Sequence, residues 1–146
     1  MIKTIYPYIT LDGEGQEAIE FYEDALDAKV VKVQTFGEMP PNPDYPIPED
    51  AKERILNAHL IIGDTNFMIS DTFPGPEHKQ FDRGFQVTIA IIVNSVEKSK
   101  EVFQKLTVGG EVMMPIQETF WSPSYGQVKD QFGVQWQVST ELDDEV

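Results

Sequence analysis

Cysteine is absent from the 146 residues of the chain. Its absence excludes disulfide bonds, cysteine-bound zinc, iron–sulfur clusters and thiol nucleophiles. Basic residues are scarce as well: 11 stand against 25 acidic residues, so the formal net charge is -14 at pH 7. Because this charge repels phosphate backbones and anionic lipid, we expect neither nucleic acid nor a membrane surface as a partner.

Long apolar runs are also missing. No stretch of the sequence approaches the roughly 18 consecutive apolar residues of a membrane span, and the first residues lack the pattern of a signal peptide. We therefore expect a cytoplasmic protein. The chain is 40% hydrophobic and 11% aromatic, which is enough to fill a core. A length near that of one typical domain predicts a single domain over residues 1–146.

The order of predicted elements occurs twice. In the first half, strand patterns at 5–11, 28–36, 54–62 and 66–70 accompany a helical stripe at 18–26. In the second half, strands at 85–93, 111–116, 126–129 and 134–140 accompany a helix that begins after Ser95. The halves align at an offset of about 82 residues, which indicates an internal repeat. We place the repeat units at about 1–71 and 84–141 of the chain, and a proline-rich loop at 39–50 is an insertion in the first.

Four stretches carry a resemblance to a known family. They are residues 39–44 (MPPNPD), 58–64 (AHLIIGD), 114–121 (MPIQETFW) and 126–136 (GQVKDQFGVQW). With the repeat, they resemble the PhnB-like group of the vicinal oxygen chelate superfamily, which includes glyoxalase I, bleomycin resistance proteins and extradiol dioxygenases. The resemblance implies an α+β fold in which two βαβββ units form a cup-shaped mixed sheet.

Members of that group often carry a methyltransferase label, which the residues do not support. An adenosyl-methionine site of the usual kind needs a glycine-rich turn after a strand of a parallel sheet. The only candidate, residues 13–15, is short and belongs to a unit whose repeat lacks it. We interpret it as a turn that starts a helix, and we predict no cofactor.

Metal-using relatives take their ligands from the first and last strands of each unit. The resemblance places these positions at Tyr6, Thr88 and Gln137, with the remaining one near Met68 or Ser70. None is histidine or carboxylate, the groups that hold divalent ions of this kind. We predict no metal site at these positions, although His59 and Glu118 remain an off-pattern alternative.

The same positions suit a pocket for a small neutral or weakly polar molecule. Hydroxyl, phenol and amide groups fix the orientation of such a ligand between aromatic walls. Trp121, in a proline-bounded loop, closes either this pocket or a dimer interface. The predicted ligand-binding residues are Tyr6, Tyr8, His59, Thr88, Trp121, Gln135 and Gln137.

Two side chains are candidates for catalysis. His59 lies in an apolar strand, where it is a structural residue or a general base, and Glu118 stands at a strand end. Their presence leaves a metal-dependent lyase, isomerase or dioxygenase as the alternative function. The main expectation is a homodimer that binds a small organic molecule, as bleomycin resistance proteins do. The resemblance implies that its acidic surface would suit a cationic compound.

Overall fold

The computed structural model describes residues 1, 3–41, 43–44, 46–72, 84 and 87–142. The chain divides into two compact units, Met1–Phe81 and Asp82–Val146. The sequence also predicts a linker over 71–84; its residues 73–83, with the predicted start of a strand at Phe85, lie outside the described residues.

The first unit has the order strand, helix and three strands. Its elements are β1 (Tyr8–Leu11), α1 (Gly15–Leu26), β2 (Lys29–Thr35), β3 (Ile55–Ile62) and β4 (Thr65–Asp71). The sheet order is β1-β4-β3-β2, with β1 parallel to β4 and the other pairs antiparallel. Short 3₁₀ turns at Phe36–Glu38 and Glu49–Ala51 flank the proline-rich loop.

The second unit repeats this order. Its elements are β5 (Ile89–Val93), α2 (Val96–Leu106), β6 (Glu111–Gln117), β7 (Tyr125–Lys129) and β8 (Gln135–Thr140). The sheet order β5-β8-β7-β6 matches the first, and the parallel pair is again the one that joins the first and last strands. The predicted α+β class with two βαβββ units is therefore confirmed.

In each unit, one face of the sheet packs against the helix. In the first, Phe67 and Ile69 are buried, and the ring of Tyr22 from α1 meets Phe67 edge-on with centroids 5.8 Å apart. In the second, Gly126 lets α2 approach β7 closely, because a Cβ there would lie 2.7 Å from Phe103 Cε2. Side chains alternate along a strand, so the neighbouring positions form an opposite, more polar face.

Two strands begin later than the alternation predicts. β1 starts at Tyr8 rather than at residue 5, because Pro7 has no N–H to donate to a ladder. The carbonyl of Pro7 still accepts a bond from Met68 N at 3.0 Å. β5 starts at Ile89, so Tyr6 and Thr88 both precede their strands.

Helix ends follow the sequence more closely. Ser95 caps α2 as predicted, because its hydroxyl accepts from Lys98 N at 3.1 Å. Among the described residues, no helix combines the length and apolar character needed to cross a membrane.

Candidate ligand-binding faces of the two sheets

The polar face of the second sheet is formed by Tyr125 and Gln127 of β7 with Gln135 and Gln137 of β8. Gln127 pairs directly with Gln137 in the antiparallel ladder, which brings their side chains together. All four alternate with buried residues that face α2, such as Trp136 and Val138. The face follows from the strand period once the register of β7 against β8 is known.

A continuous chain of hydrogen bonds crosses this face. Gln127 Nε2 donates to Tyr125 Oη at 2.9 Å, and Tyr125 Oη donates to Gln137 Oε1 at 2.7 Å. Gln137 Nε2 then donates to Thr88 Oγ1 at 2.7 Å. The structure thus brings Thr88 and Gln137 into contact and links two further side chains, those of Tyr125 and Gln127, to them.

Aromatic rings adjoin one end of this chain. The ring of Trp121 meets Tyr125 edge-on with centroids 5.2 Å apart, and Phe120 packs on Trp121 at 4.8 Å. Trp121 is 55% exposed and Phe120 97% exposed. A large aromatic surface therefore stands beside oriented hydrogen-bonding groups.

A tight turn holds these rings in place. Thr119 N donates to Ser122 O at 2.9 Å, which closes the turn around Phe120 and Trp121. The hydroxyl of Ser122 is buried and donates to Thr140 O at 2.7 Å. Because Ser122 bonds the turn to β8, hydrogen bonds hold the backbone that carries the two exposed rings.

The polar face of the first sheet is formed by Tyr8 of β1, Asn57 and His59 of β3, and Ser70 of β4. Tyr8 Oη lies 2.5 Å from Ser70 Oγ and accepts from Asn57 Nδ2 at 3.1 Å. His59 Nε2 lies 2.7 Å from Asn66 Oδ1. Tyr8 and His59, two predicted site residues, therefore lie on one face, each bonded to a partner on a neighbouring strand.

Other predicted site residues are less engaged. Tyr6 is exposed before β1, and Glu118 is exposed directly after β6. Gln135 is half-buried on the polar face of the second sheet, two residues from Gln137. His59 and Glu118 belong to different units, so the structure of neither unit by itself pairs them.

Sequence reasoning missed several members of the two faces. They are Asn57, Asn66, Tyr125 and Gln127. Each stands on the same side of a hairpin as a residue that was predicted. Pairing the predicted hairpin strands in register would have found them.

The residues at the family's ligand positions do not fit a divalent metal. Tyr8 pairs with Met68 just as Ala90 pairs with Gln137, so Met68 is the first unit's counterpart of Gln137. A thioether and an amide are poor ligands for hard or borderline divalent ions, and both ends of the Gln137 amide are already hydrogen-bonded. Within the described part of the chain, no three His, Asp or Glu side chains lie together as a metal site requires.

The short glycine turn at residues 13–15 is occupied by a side chain of the same unit. Asp71 Oδ1 accepts from Gly13 N at 2.8 Å and from Gly15 N at 3.0 Å. A Cβ on Gly15 would lie 2.7 Å from Asp71 Oδ2, so glycine is required for this approach. These amides start α1 and are engaged by a buried carboxylate, which supports the structural interpretation of the turn.

Comparison with known proteins gives the family. The model of the Glyoxalase/Bleomycin resistance protein/Dioxygenase superfamily matches residues 8–138. The chain belongs to this superfamily, and the resemblance stated from the sequence is confirmed.

Particular relatives cover nearly the whole chain. Protein YjdN of Escherichia coli (strain K12) is 32% identical over 142 residues, which span 91% of this chain and 92% of that protein. The crystal structure of protein PA1353 from Pseudomonas aeruginosa is 32% identical, covers 97% of this chain and 100% of its own, and has a TM-score of 0.82.

A third relative carries the PhnB name. The putative 3-demethylubiquinone-9 3-methyltransferase, PhnB protein, from Bacillus cereus is 21% identical with a TM-score of 0.75. It covers 95% of this chain and 100% of its own. At this identity the likeness shows the fold alone, so the activity in that name is not carried over to this chain.

Proposed function

We propose that the chain binds a small organic molecule, uncharged or weakly polar, without a metal ion at the family's ligand positions. The observation that carries the proposal is the hydrogen-bonded chain from Gln127 to Thr88 with Trp121 beside it. Binding sites for small molecules combine aromatic surface with a few oriented polar groups. The polar face of the second sheet has both, with Gln137 at its centre.

The two ends of the chain of hydrogen bonds are its contact points for a ligand. Thr88 receives a bond from Gln137, so its own hydroxyl proton is available to donate. At the other end, Gln127 uses its Nε2 toward Tyr125, which leaves Oε1 as an acceptor. In this arrangement of the hydrogen bonds, a ligand that stacks on Trp121 would therefore meet a donor at Thr88 and an acceptor at Gln127.

A thermal-shift screen of a small-molecule library tests this function. A compound present at 100 times its Kd stabilises the native state by about 2.7 kcal/mol. We expect Gln137→Leu and Trp121→Ala each to weaken a hit by about tenfold, since each removes a hydrogen-bonding group or a stacking surface. The control is Gln104→Leu on the exposed face of α2.

Two results would contradict the proposal. One is a set of hits whose affinity is the same in the parent and in Gln137→Leu. The other is tight, stoichiometric uptake of Zn²⁺ or Ni²⁺ by the parent in calorimetry, lost on Gln137→Leu. That outcome would favour a metal-dependent lyase, isomerase or dioxygenase.

We also propose that the protein is a homodimer. The outermost strands β2 and β6 each pair with one strand of their own sheet and expose apolar side chains, with Val31 at 54% and Met113 at 51%. Exposed apolar edge strands are normally covered in native proteins. Light scattering should give about twice the chain mass of 16.6 kDa. Val31→Lys combined with Met113→Lys should shift the protein toward monomer, and a monomeric parent at micromolar concentration would contradict the proposal.

A further inference from the structure

The polar face of the first sheet carries an inference about ligand class. We propose that Asn57 Oδ1 and His59 Nδ1 form a hydrogen-bond-acceptor site that selects neutral small molecules carrying O–H or N–H donors. The proposal rests on the small-molecule function proposed above and adds a site on the first sheet to it.

The direction is set at a backbone carbonyl. Ser70 Oγ donates to Leu56 O at 2.9 Å, and a carbonyl oxygen can only accept. A serine hydroxyl has one proton, so Ser70 must receive the bond that joins it to Tyr8. Tyr8 is therefore the donor in the 2.5 Å contact between the two hydroxyl groups.

The same logic fixes the amide of Asn57. Because the single proton of Tyr8 goes to Ser70, Tyr8 Oη accepts, and Asn57 Nδ2 is its donor at 3.1 Å. The amide is thus oriented with its nitrogen toward Tyr8. Its Oδ1 has no hydrogen bond within the described part of the chain.

The partner of His59 determines which ring nitrogen carries the proton. Asn66 Oδ1 lies 2.7 Å from His59 Nε2, and an amide oxygen can only accept. Nε2 therefore bears the hydrogen in the neutral ring, and Nδ1 is left with a lone pair. Asn66 acts here as a positioning residue, since it sets the tautomer without belonging to the site.

The two acceptors lie within reach of one small ligand. Asn57 and His59 are two positions apart on β3, so their side chains project from the same face roughly 7 Å apart. Both are half-buried. Lys32 of β2 pairs with His59 in the ladder, which places an ammonium group on the same face. That charge disfavours a cationic ligand, so a neutral donor such as a hydroxyl or an amide N–H fits best.

The experiment uses phenol and anisole, which differ in that only phenol donates a hydrogen bond. Each probe is titrated into ¹⁵N-labelled protein, and the signals of the Asn57 amide and the His59 ring are followed by NMR. We expect phenol to bind at these residues about fivefold more tightly than anisole, the effect of one net hydrogen bond. The ring spectrum of neutral His59 should show protonated Nε2 and unprotonated Nδ1.

Two variants of Asn66 distinguish an effect of the His59 tautomer on binding from an effect of side-chain packing. Asn66→Asp keeps an acceptor for His59 Nε2, so at a pH where the ring is neutral the tautomer and the preference for phenol should persist. Asn66→Leu removes the acceptor, so the neutral ring should become a mixture of tautomers. The ratio of the affinities for phenol and anisole should then approach one. Circular dichroism confirms that both variants are folded.

Three results would overturn the inference. They are a neutral His59 protonated at Nδ1, equal affinity for phenol and anisole, or a phenol response that leaves Asn57 and His59 unchanged. If Gln137 and Thr88 still respond to hits from the library screen, the proposed function survives that failure. If no compound of the library shifts residues of either sheet, the proposed function fails as well.

Discussion

The last strand of each unit ends in a buried polar residue, and the residue differs between the two units. Asp71 ends β4 beside Leu11, and Thr140 ends β8 beside Val93. Both side chains are buried, and both face the start of a helix. One is a carboxylate and the other a hydroxyl, although they hold equivalent positions in the two sheets.

The backbone donors explain the difference. In the first unit, Asp71 accepts from the amides of Gly13, Gly15 and Ile55, the last at 2.7 Å. In the second, the residue level with Ile55 is Pro123, which has no N–H.

The second helix also has a cap of its own. The hydroxyl of Ser95 accepts from the start of α2, so no distant side chain is needed there. A hydroxyl at Thr140 then suffices, and it bonds Ser99 at 2.5 Å. Strand pairing thus places a buried hydrogen-bonding side chain at the same position in both units. It is a carboxylate where three backbone amides donate to it, and a hydroxyl where Pro123 and the Ser95 cap leave fewer amides to satisfy.

The largest effect is expected at Asp71. Asp71→Ala leaves three backbone amides without their acceptor, and we expect a loss of roughly 3 kcal/mol in the free energy of unfolding. Asp71→Asn keeps an acceptor oxygen and should lose less. Urea denaturation of both variants beside Thr140→Ala measures the contrast. If Asp71→Ala costs no more than Thr140→Ala, the two residues contribute equally to stability and the number of bonded amides does not distinguish them.

A second contrast concerns the hairpin turns that precede the last strand of each unit. Asp130 is buried and accepts from Phe132 N, Val134 N and Trp136 Nε1 at 2.9, 3.0 and 2.8 Å, whereas Asp64 is exposed. We expect Asp130→Ala to cost about 2 kcal/mol, because it leaves two backbone amides and the indole N–H of Trp136 without their acceptor. Asp64→Ala should change stability by under about 0.5 kcal/mol. Equal losses in urea denaturation would show that the turns are equivalent.

The smallest effect concerns the hydroxyl pair of the second unit. Thr140→Val leaves the buried Ser99 hydroxyl unpaired and should cost about 1 kcal/mol. Adding Ser99→Ala removes both partners, so the double variant should lose less than the sum of the single variants. A double-mutant cycle should therefore give a coupling free energy of about 1 kcal/mol. Additive losses would mean that the pair adds nothing to stability.

Local patterns in the sequence were enough for the elements and for parts of the core. The helical stripe of α1 and the cap at Ser95 both follow from neighbours along the chain. The start of β1 was wrong, because alternation alone does not register the missing N–H of Pro7.

The candidate faces were harder to predict because they depend on strand register. The alignment at Thr88 and Gln137 came from the family resemblance, and the structure brings these two into contact. The links through Tyr125 and Gln127 depend on how β7 meets β8, which no local pattern specifies. Asp71 likewise reaches amides 56 and 58 residues earlier in the chain.

The chain of hydrogen bonds from Gln127 to Thr88 can run in either of two directions. None of its described bonds ends on a backbone carbonyl, in contrast to Ser70, which is tied to Leu56 O. Turning both glutamine amides over and rotating the Tyr125 hydroxyl would keep the same neighbours bonded, with donor and acceptor exchanged in every bond. The same four side chains thus allow two directions of hydrogen bonding, and Thr88 donates to Gln137 in one and accepts from it in the other. A ligand that binds at Thr88, as proposed above, would therefore select one of the two directions: the described direction if it accepts from Thr88, and the reversed direction if it donates to Thr88.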